Sequence, residues 1–513
     1  MIRSMNAQVM RIPHIAAYPE RLSYLAGEEV SFACSTDAAE FSAEIARVGG
    51  QRQIVWERTG FAGQHYDVPE HASSLGCGWP EAFAVRIPRN WASGYYEVVL
   101  RAADPASGHL AEHLAFFVVR PEPGTLSQRA GRMLLILATN TYNAYNDWGG
   151  PNLYTGATRA SFRRPFAPGF LKKPWPAVRY PNVDIDDDPE HERFRDWADG
   201  HGLSHWSGSA GWHNWERSFV RWAERQGYAV DVAVNADLEL HPDVLDGYGL
   251  MVSVGHDEYW SWGMRDRLED FVASGGNVAF FSGNAVYWQV RFEDDGAAMV
   301  CYKDRYQQDP AFEADHRRAT TLWSSRVVGR PENYLTGVSF ARGGYIRMGN
   351  AVPRGSGGFT TWRPGHWAFD GTGLRYGDLF GSRHAIAAYE VDGCEWTLSA
   401  DDGLPVPTGR DGTPEDFTIL ATAPARLWSR DELPSRYRPS AAGDLETTAV
   451  AVFGDDAPEH IRRLSHNHAV MGTFTRGGTV FSAATTDWSY GLDGHDPVVE
   501  RITRNVLDRL SRR

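Results

Sequence analysis

Residues 133–138, Met-Leu-Leu-Ile-Leu-Ala, form an uninterrupted apolar run, and it constrains this chain more than any other feature. A strand that is hydrophobic on both faces must be covered on both. Parallel sheets achieve this with the helices that cross between their strands. The segments that follow meet that demand. A helix is predicted over residues 215–226, where Phe219, Trp222 and Ala223 share one face and Gly227 provides the stop. Strands are predicted at 228–234, 250–254 and 277–281. Before the last comes a helix, Trp262–Ala273, with Met264, Leu268, Phe271 and Val272 inward and Gly275-Gly276 beyond its end. Strands alternating with helices imply right-handed βαβ units and a doubly wound α/β sheet. Residues 479–483 and 498–510 read as its last unit, and the less regular region 300–475 is expected to hold a β-rich insertion.

Upstream, residues 15–120 lack long helical periods. Short candidate strands at 29–34, 43–48, 82–87, 94–100 and 114–119 are separated by Gly, Pro, Asp and Asn, with a turn at 104–108. An immunoglobulin-like β-sandwich is the expected fold. Arg120-Pro121-Glu122-Pro123-Gly124 stops a strand and stiffens the chain. A chain of 513 residues is also too long for one core. The expected division is therefore a β-sandwich over residues 1–122 and an α/β catalytic domain over 123–513.

Composition removes some classes of function. A net charge of −14 argues against a nucleic-acid partner, which needs clustered cations. No run of 18 apolar residues exists to span a bilayer. The first 18 residues lack the apolar stretch of a secretory signal, so a cytoplasmic location is expected. Cys34, Cys77, Cys301 and Cys394 have no metal-type spacing and are expected to be free buried thiols rather than to include a Cys34–Cys77 bridge. The loose group His191, His201, His205 and His213 is not a zinc site on this reading, because Gly200 and Gly202 work against a helical His pair. The acidic run 184–188 lacks the grammar of a calcium loop.

In open α/β sheets ligands bind beyond the carboxyl ends of the strands. Four predicted loops sit there. They are Thr139-Asn140-Thr141-Tyr142-Asn143-Ala144-Tyr145-Asn146, Gly255-His256-Asp257-Glu258-Tyr259-Trp260, Ser282-Gly283-Asn284-Ala285-Val286-Tyr287-Trp288 and Ala484-Thr485-Thr486-Asp487-Trp488. His256 and Glu258 lie two apart, so in extended backbone they point the same way and offer a general base, a metal ligand or both. The plainer alternative is a helix start, with Asp257 or Glu258 favoured by the helix dipole. A nucleophilic Ser or Cys is absent from the strand-to-helix position that would carry one, as are phosphate-loop and dinucleotide fingerprints.

Asn140-Thr141-Tyr142-Asn143-Ala144-Tyr145-Asn146, Gly149-Gly150, Leu153-Tyr154 and Gly255-His256-Asp257-Glu258-Tyr259-Trp260 together resemble the C-terminal catalytic region of the N,N-dimethylformamidase large (beta) subunit family, over roughly residues 130–510. The resemblance implies a β-domain joined to an α/β region related to glutamine amidotransferases. It also implies a mononuclear non-haem iron (Fe3+) held by two tyrosines and one glutamate. Glu258 matches the carboxylate, with His256 beside the metal. Tyr180 matches one phenolate, and either Tyr142 or Tyr145 the other. Lys303 and Glu390 match the family's further lysine and glutamate. Three anionic oxygens suit a hard trivalent ion. The implied function is an amidohydrolase cleaving the C–N bond of a small linear amide with metal-activated water, with His256 moving the proton. The chain is shorter than the family's best-known members. That leaves open the exact substrate, a homo-oligomeric state and the small accessory subunit. Two other classes remain: a metal-free carboxylate-pair hydrolase such as a glycosidase using Glu258 and Asp487, and a non-catalytic carbohydrate-binding protein.

Overall fold

A computed structural model describes residues 14–103, 109–174, 197–346, 356–432 and 443–512. The predicted turn at 104–108, the acidic run at 184–188, His191 and Tyr180 lie outside the described residues.

The N-terminal part is built from two sheets. One has five strands, in the order Ser23–Leu25, Leu110–Arg120, Gly94–Ala103, Glu40–Val48 and Arg52–Ala62. The other has three, in the order Ile15–Pro19, Glu29–Thr36 and Glu81–Arg86. Phe32, Phe83, Val98, Leu100 and Phe117, drawn from both sheets, fill one apolar core. The five predicted strands are all present. The strand Arg52–Ala62 escaped prediction because it is a largely exposed edge whose side chains show no clear alternation. In Gly94–Ala103 the two-residue period turns Tyr96, Val98 and Leu100 into this core and Tyr95 to the other face.

That other face meets the rest of the chain. Tyr95 stacks on Trp212 with centroids 4.1 Å apart, and Leu22, Val48, Phe116 and Val118 belong to the same buried cluster as the α/β region. Arg47 pairs with Glu224 at 2.6 Å, and Ser23 Oγ donates to Asp237 at 2.8 Å. The proline-rich segment therefore joins two units that share an apolar interface.

The second unit centres on a nine-stranded sheet. Its parallel half runs Ala229–Val234, Arg132–Leu137, Leu250–His256, Asn277–Gly283 and Gly478–Ser482. In Arg132–Leu137, Met133, Leu135 and Leu137 enter one core while Leu134 and Ile136 enter another. The helices Glu216–Arg225 and Pro497–Leu510 cover the first face, and Trp262–Ala273 covers the second. Two-sided burial is what the apolar run demanded.

Region 300–475 is β-rich, as expected: Ser339–Tyr345 with Glu390–Gly393 and Trp396–Leu398 with Pro405–Pro407 form separate two-stranded sheets, while Asn467–Arg476, Thr418–Ala425, Phe359–Thr361 and Leu379–Phe380 extend the large sheet beyond Gly478–Ser482 by antiparallel pairing. One expectation needs correction. The expected loop after the first parallel strand is instead a short buried helix, Thr139–Tyr145. Among the described residues no helix is long and apolar enough to cross a membrane. All four cysteines are buried and free.

Candidate active site

Strand Leu250–His256 delivers His256 to the carboxyl edge of the sheet, and Gly255 makes the delivery feasible. Its φ is +79°, and an added Cβ would lie 2.6 Å from the Trp215 Cβ. We expect Gly255→Ala to lower stability by more than about 2 kcal/mol, through backbone strain and overpacking. Denaturant unfolding measures this; an unchanged midpoint would show that Trp215 yields. Gly283 ends the neighbouring strand under a similar constraint, since a Cβ there would meet the Glu390 carbonyl oxygen and the Thr486 amide nitrogen at 2.5 Å. Glycine lets the Glu390–Gly393 strand approach the sheet at this point.

His256 is buried. Its Nδ1 lies 2.7 Å from the Ser209 carbonyl oxygen, which requires an N–H there. Nε2 lies 2.8 Å from Glu390 Oε2 and 3.3 Å from Glu258 Oε2. Burial disfavours a charged imidazole, but Glu390 and then Glu258 outweigh it and raise the group to about 9. The Nε2 edge of the ring thus faces two carboxylates, with Asn284 Nδ2 3.3 Å away. Asn284, at φ +47°, places its Nδ2 3.4 Å from Glu390 Oε2, while its backbone N–H donates to Asp392. Positive φ at Asn284, Val286, Lys303 and Ala484 concentrates backbone strain around these loops.

Glu258 gathers the aromatic side of the site. Its Oε1 accepts from the Tyr154 hydroxyl at 2.6 Å and from the Trp288 indole N–H at 2.8 Å. The Tyr145 hydroxyl donates to that of Tyr154 at 3.0 Å. Burial, opposed by His256 and Lys303, pushes the Glu258 carboxyl up. Tyr145 and Tyr154 are both held well above the ordinary phenol range, by burial and by the Glu258 charge. Lys303 is buried without a hydrogen-bond partner for Nζ, which lies 3.0 Å from the centre of the Tyr154 ring. Burial lowers this ammonium to about 8, against the pull of Glu258. A cleft of about 270 Å³ reaches Tyr154 and Lys303 from outside.

The structure therefore brings together His256, Glu258, Glu390, Lys303 and Tyr145. It does not bring Tyr142 to them. The two phenols sit at neighbouring positions on the helix Thr139–Tyr145, but the Tyr142 hydroxyl donates to Glu216 at 2.6 Å, and burial raises that carboxyl to about 8. Tyr142→Phe should thus cost about 1–3 kcal/mol by leaving Glu216 with the long backbone contact from Ala138 at 3.4 Å in place of its hydroxyl donor, while sparing whatever Glu258 binds. Thermal unfolding and metal analysis on the same sample check both halves. Sequence reasoning missed Tyr154, Trp288 and Asn284. Tyr154 and Trp288 were visible only as members of aromatic strings, because nothing in their spacing points at Glu258. Asp487, nominated beside Glu258 for a carboxylate pair, instead accepts from the Trp215 indole and the Tyr389 amide. The carboxylate that shares His256 with Glu258 is Glu390.

Among the described residues no group of three His, Cys, Asp or Glu side chains forms a metal site. A cation here would have to draw on the phenols. The donor set fits a hard one: Glu258 Oε2 is buried with only the His256 ring close by, at 3.3 Å and outside hydrogen-bond geometry, and two phenol oxygens lie in line with Oε1.

A family model described as N,N-dimethylformamidase beta subunit-like, C-terminal, matches residues 42–501. The match begins within the N-terminal sheets, well before the expected residue 130. The N,N-dimethylformamidase beta subunit of Paracoccus aminophilus is 22% identical over 466 residues, and that of an Alcaligenes species 21% over 464. Each alignment takes in 84% of this chain and 54% of the relative, so the chain spans about half the length of these relatives. Among solved structures, the sporulation control protein Spo0M from Bacillus subtilis aligns at 14% identity over 22% of this chain and 51% of its own. Its TM-score of 0.16 carries no argument.

Proposed function

Because the chain belongs to the N,N-dimethylformamidase beta subunit-like family, we propose that it hydrolyses the carbon–nitrogen bond of a small linear amide at Glu258. The observation that carries this reading is the placement of that carboxylate, Oε1 accepting from the phenol of Tyr154 and Oε2 3.3 Å from His256 Nε2. Glu258, Tyr145 and Tyr154 would hold a single ferric ion, and Tyr180 stays a candidate ligand on sequence grounds. Such an ion supplies Lewis acidity toward an amide carbonyl and acidifies water.

The chain's own residues supply the proton handling. Hydrolysis joins a water oxygen to the amide carbon and breaks the C–N bond, so the water loses a proton and the departing nitrogen gains one. His256 Nε2, fixed between Glu258 and Glu390, is placed to hold a proton and release it to that nitrogen. Ser209 keeps the ring in register through Nδ1. Lys303 places a cation against the Tyr154 ring, a counter-charge to the burial and the Glu258 charge that hold this phenol protonated. The aromatic walls keep water out and suit a weakly polar substrate.

On the same footing we read the N-terminal sheets as an immunoglobulin-like sandwich, supported by their common core, and the parallel half of the large sheet as a glutamine-amidotransferase-like, doubly wound domain. Both relatives carry the name beta subunit, which supports a small accessory polypeptide as partner. A cytoplasmic location and self-association complete the reading. Elemental analysis combined with amine release from a panel of amides tests the central claim. About one iron per chain, visible colour from phenolate–iron bonding and amine release are expected. A colourless, iron-free protein that stays inactive after reconstitution overturns it.

A further inference from the structure

We infer that Trp206 sets the size of the amide that reaches Glu258, restricting the substrate to amides with short substituents on nitrogen. The inference rests on the amidohydrolase reading and concerns the specificity of that same site.

The carboxylates and His256 are surrounded by rings. Tyr145, Trp215, Trp288 and Tyr389 are all buried. Two rings reach solvent: Tyr154, which is 39% exposed although its hydroxyl is buried against Glu258, and Trp206, which is half-buried. They touch each other, stacked at 22° with centroids 5.8 Å apart, and Trp206 also lies 6.0 Å from Tyr145. Part of the edge of the site that faces solvent is therefore a pair of stacked rings, with Tyr154 shared between this pair and the cleft at Lys303. A group that projects toward this side from a carbonyl held near Glu258 rests against them.

Trp206 is also held firmly enough to discriminate. It belongs to the short helical turn His205–Gly208, whose start is capped by Ser204 Oγ accepting from the Trp206 amide. The Ser209 amide donates to the Trp206 carbonyl, and the Ser209 carbonyl in turn takes His256 Nδ1. One rigid turn thus fixes the rim of the site and the orientation of its proton carrier. Tyr154 cannot recede to admit a larger group, because its hydroxyl is tied to Glu258 and Lys303 lies over its ring. Trp206 is the wall that a substitution can remove without breaking the Glu258 contacts.

The test uses the purified full chain and the series N,N-dimethyl-, N,N-diethyl- and N,N-dibutylformamide. Wild type should lose kcat/KM as the alkyl groups lengthen. Trp206→Ala should raise the dibutyl-to-dimethyl ratio of kcat/KM by at least about tenfold, the scale on which a pocket discriminates methylene groups. Trp206→Phe, which keeps apolar cover over Tyr145, should fall between the two. Calorimetric binding of the same formamides to His256→Asn protein, with and without the Trp206 change, should show the same reordering without turnover. Unchanged ratios in folded Ala and Phe variants overturn the inference and leave the amidohydrolase reading intact. A wild-type protein that neither binds nor cleaves any member of the series overturns that reading, and the inference falls with it.

Discussion

On the proposed amidohydrolase reading, Glu258→Ala is expected to abolish iron binding and amide hydrolysis, and to cost the fold about 3–5 kcal/mol. The stability loss follows from what the carboxylate holds. Without it the Tyr154 hydroxyl and the Trp288 indole lose their acceptor, and Lys303 and His256 lose an opposing charge. Taking one member from a buried charged set is destabilising on that scale, because the remaining charge stays desolvated. Glu258→Gln separates the two effects. It retains volume and an acceptor oxygen, so it should recover much of the stability while still failing to hold a hard cation. Metal analysis, amine release and denaturant unfolding on both variants report the outcome. An alanine variant that keeps its iron and its activity would show that the chemistry lies elsewhere.

The second large effect is expected at His256. His256→Asn should lower kcat by about 10²–10⁴, the usual worth of a positioned acid–base group, while the iron content stays near wild type. The asymmetry arises because His256 contacts Glu258 through Oε2, whereas the phenols reach it through Oε1. Glu390→Gln should follow in the same direction, since Glu390 is the closer of the two carboxylates at Nε2. Iron lost along with the imidazole would make His256 a ligand rather than a proton carrier. Full activity in the variant would remove it from the mechanism.

Much of this molecule could be read along the chain. The apolar run at 133–138, the helix Trp262–Ala273 and the glycine stops lie where local rules place them. The spacing of His256 and Glu258 also carried over, since two residues apart in extended backbone share a side. The strand Arg52–Ala62 was harder, because an exposed edge leaves no burial pattern to read. The antiparallel extension of the large sheet was hidden for another reason. Its strands are contributed by segments from 359 to 476, and their pairing depends on which chains lie adjacent in space.

The site divides in the same way. Sequence alone pointed to a histidine and a carboxylate meeting at a strand end, through the two-residue backbone period, with a helix start as the alternative; the need for glycine at Gly255 came from the structure. Only the tertiary structure decided which phenols meet the carboxylate. Tyr142 and Tyr145 sit three apart on one short helix and are chemically identical, yet one faces Glu216 and the other faces Tyr154 and Glu258. Tyr154 and Glu390 reach Glu258 and His256 across more than a hundred residues of chain. Local preferences act over a turn or two of backbone, whereas a buried charge accepts whichever donors the packed core brings within hydrogen-bonding distance.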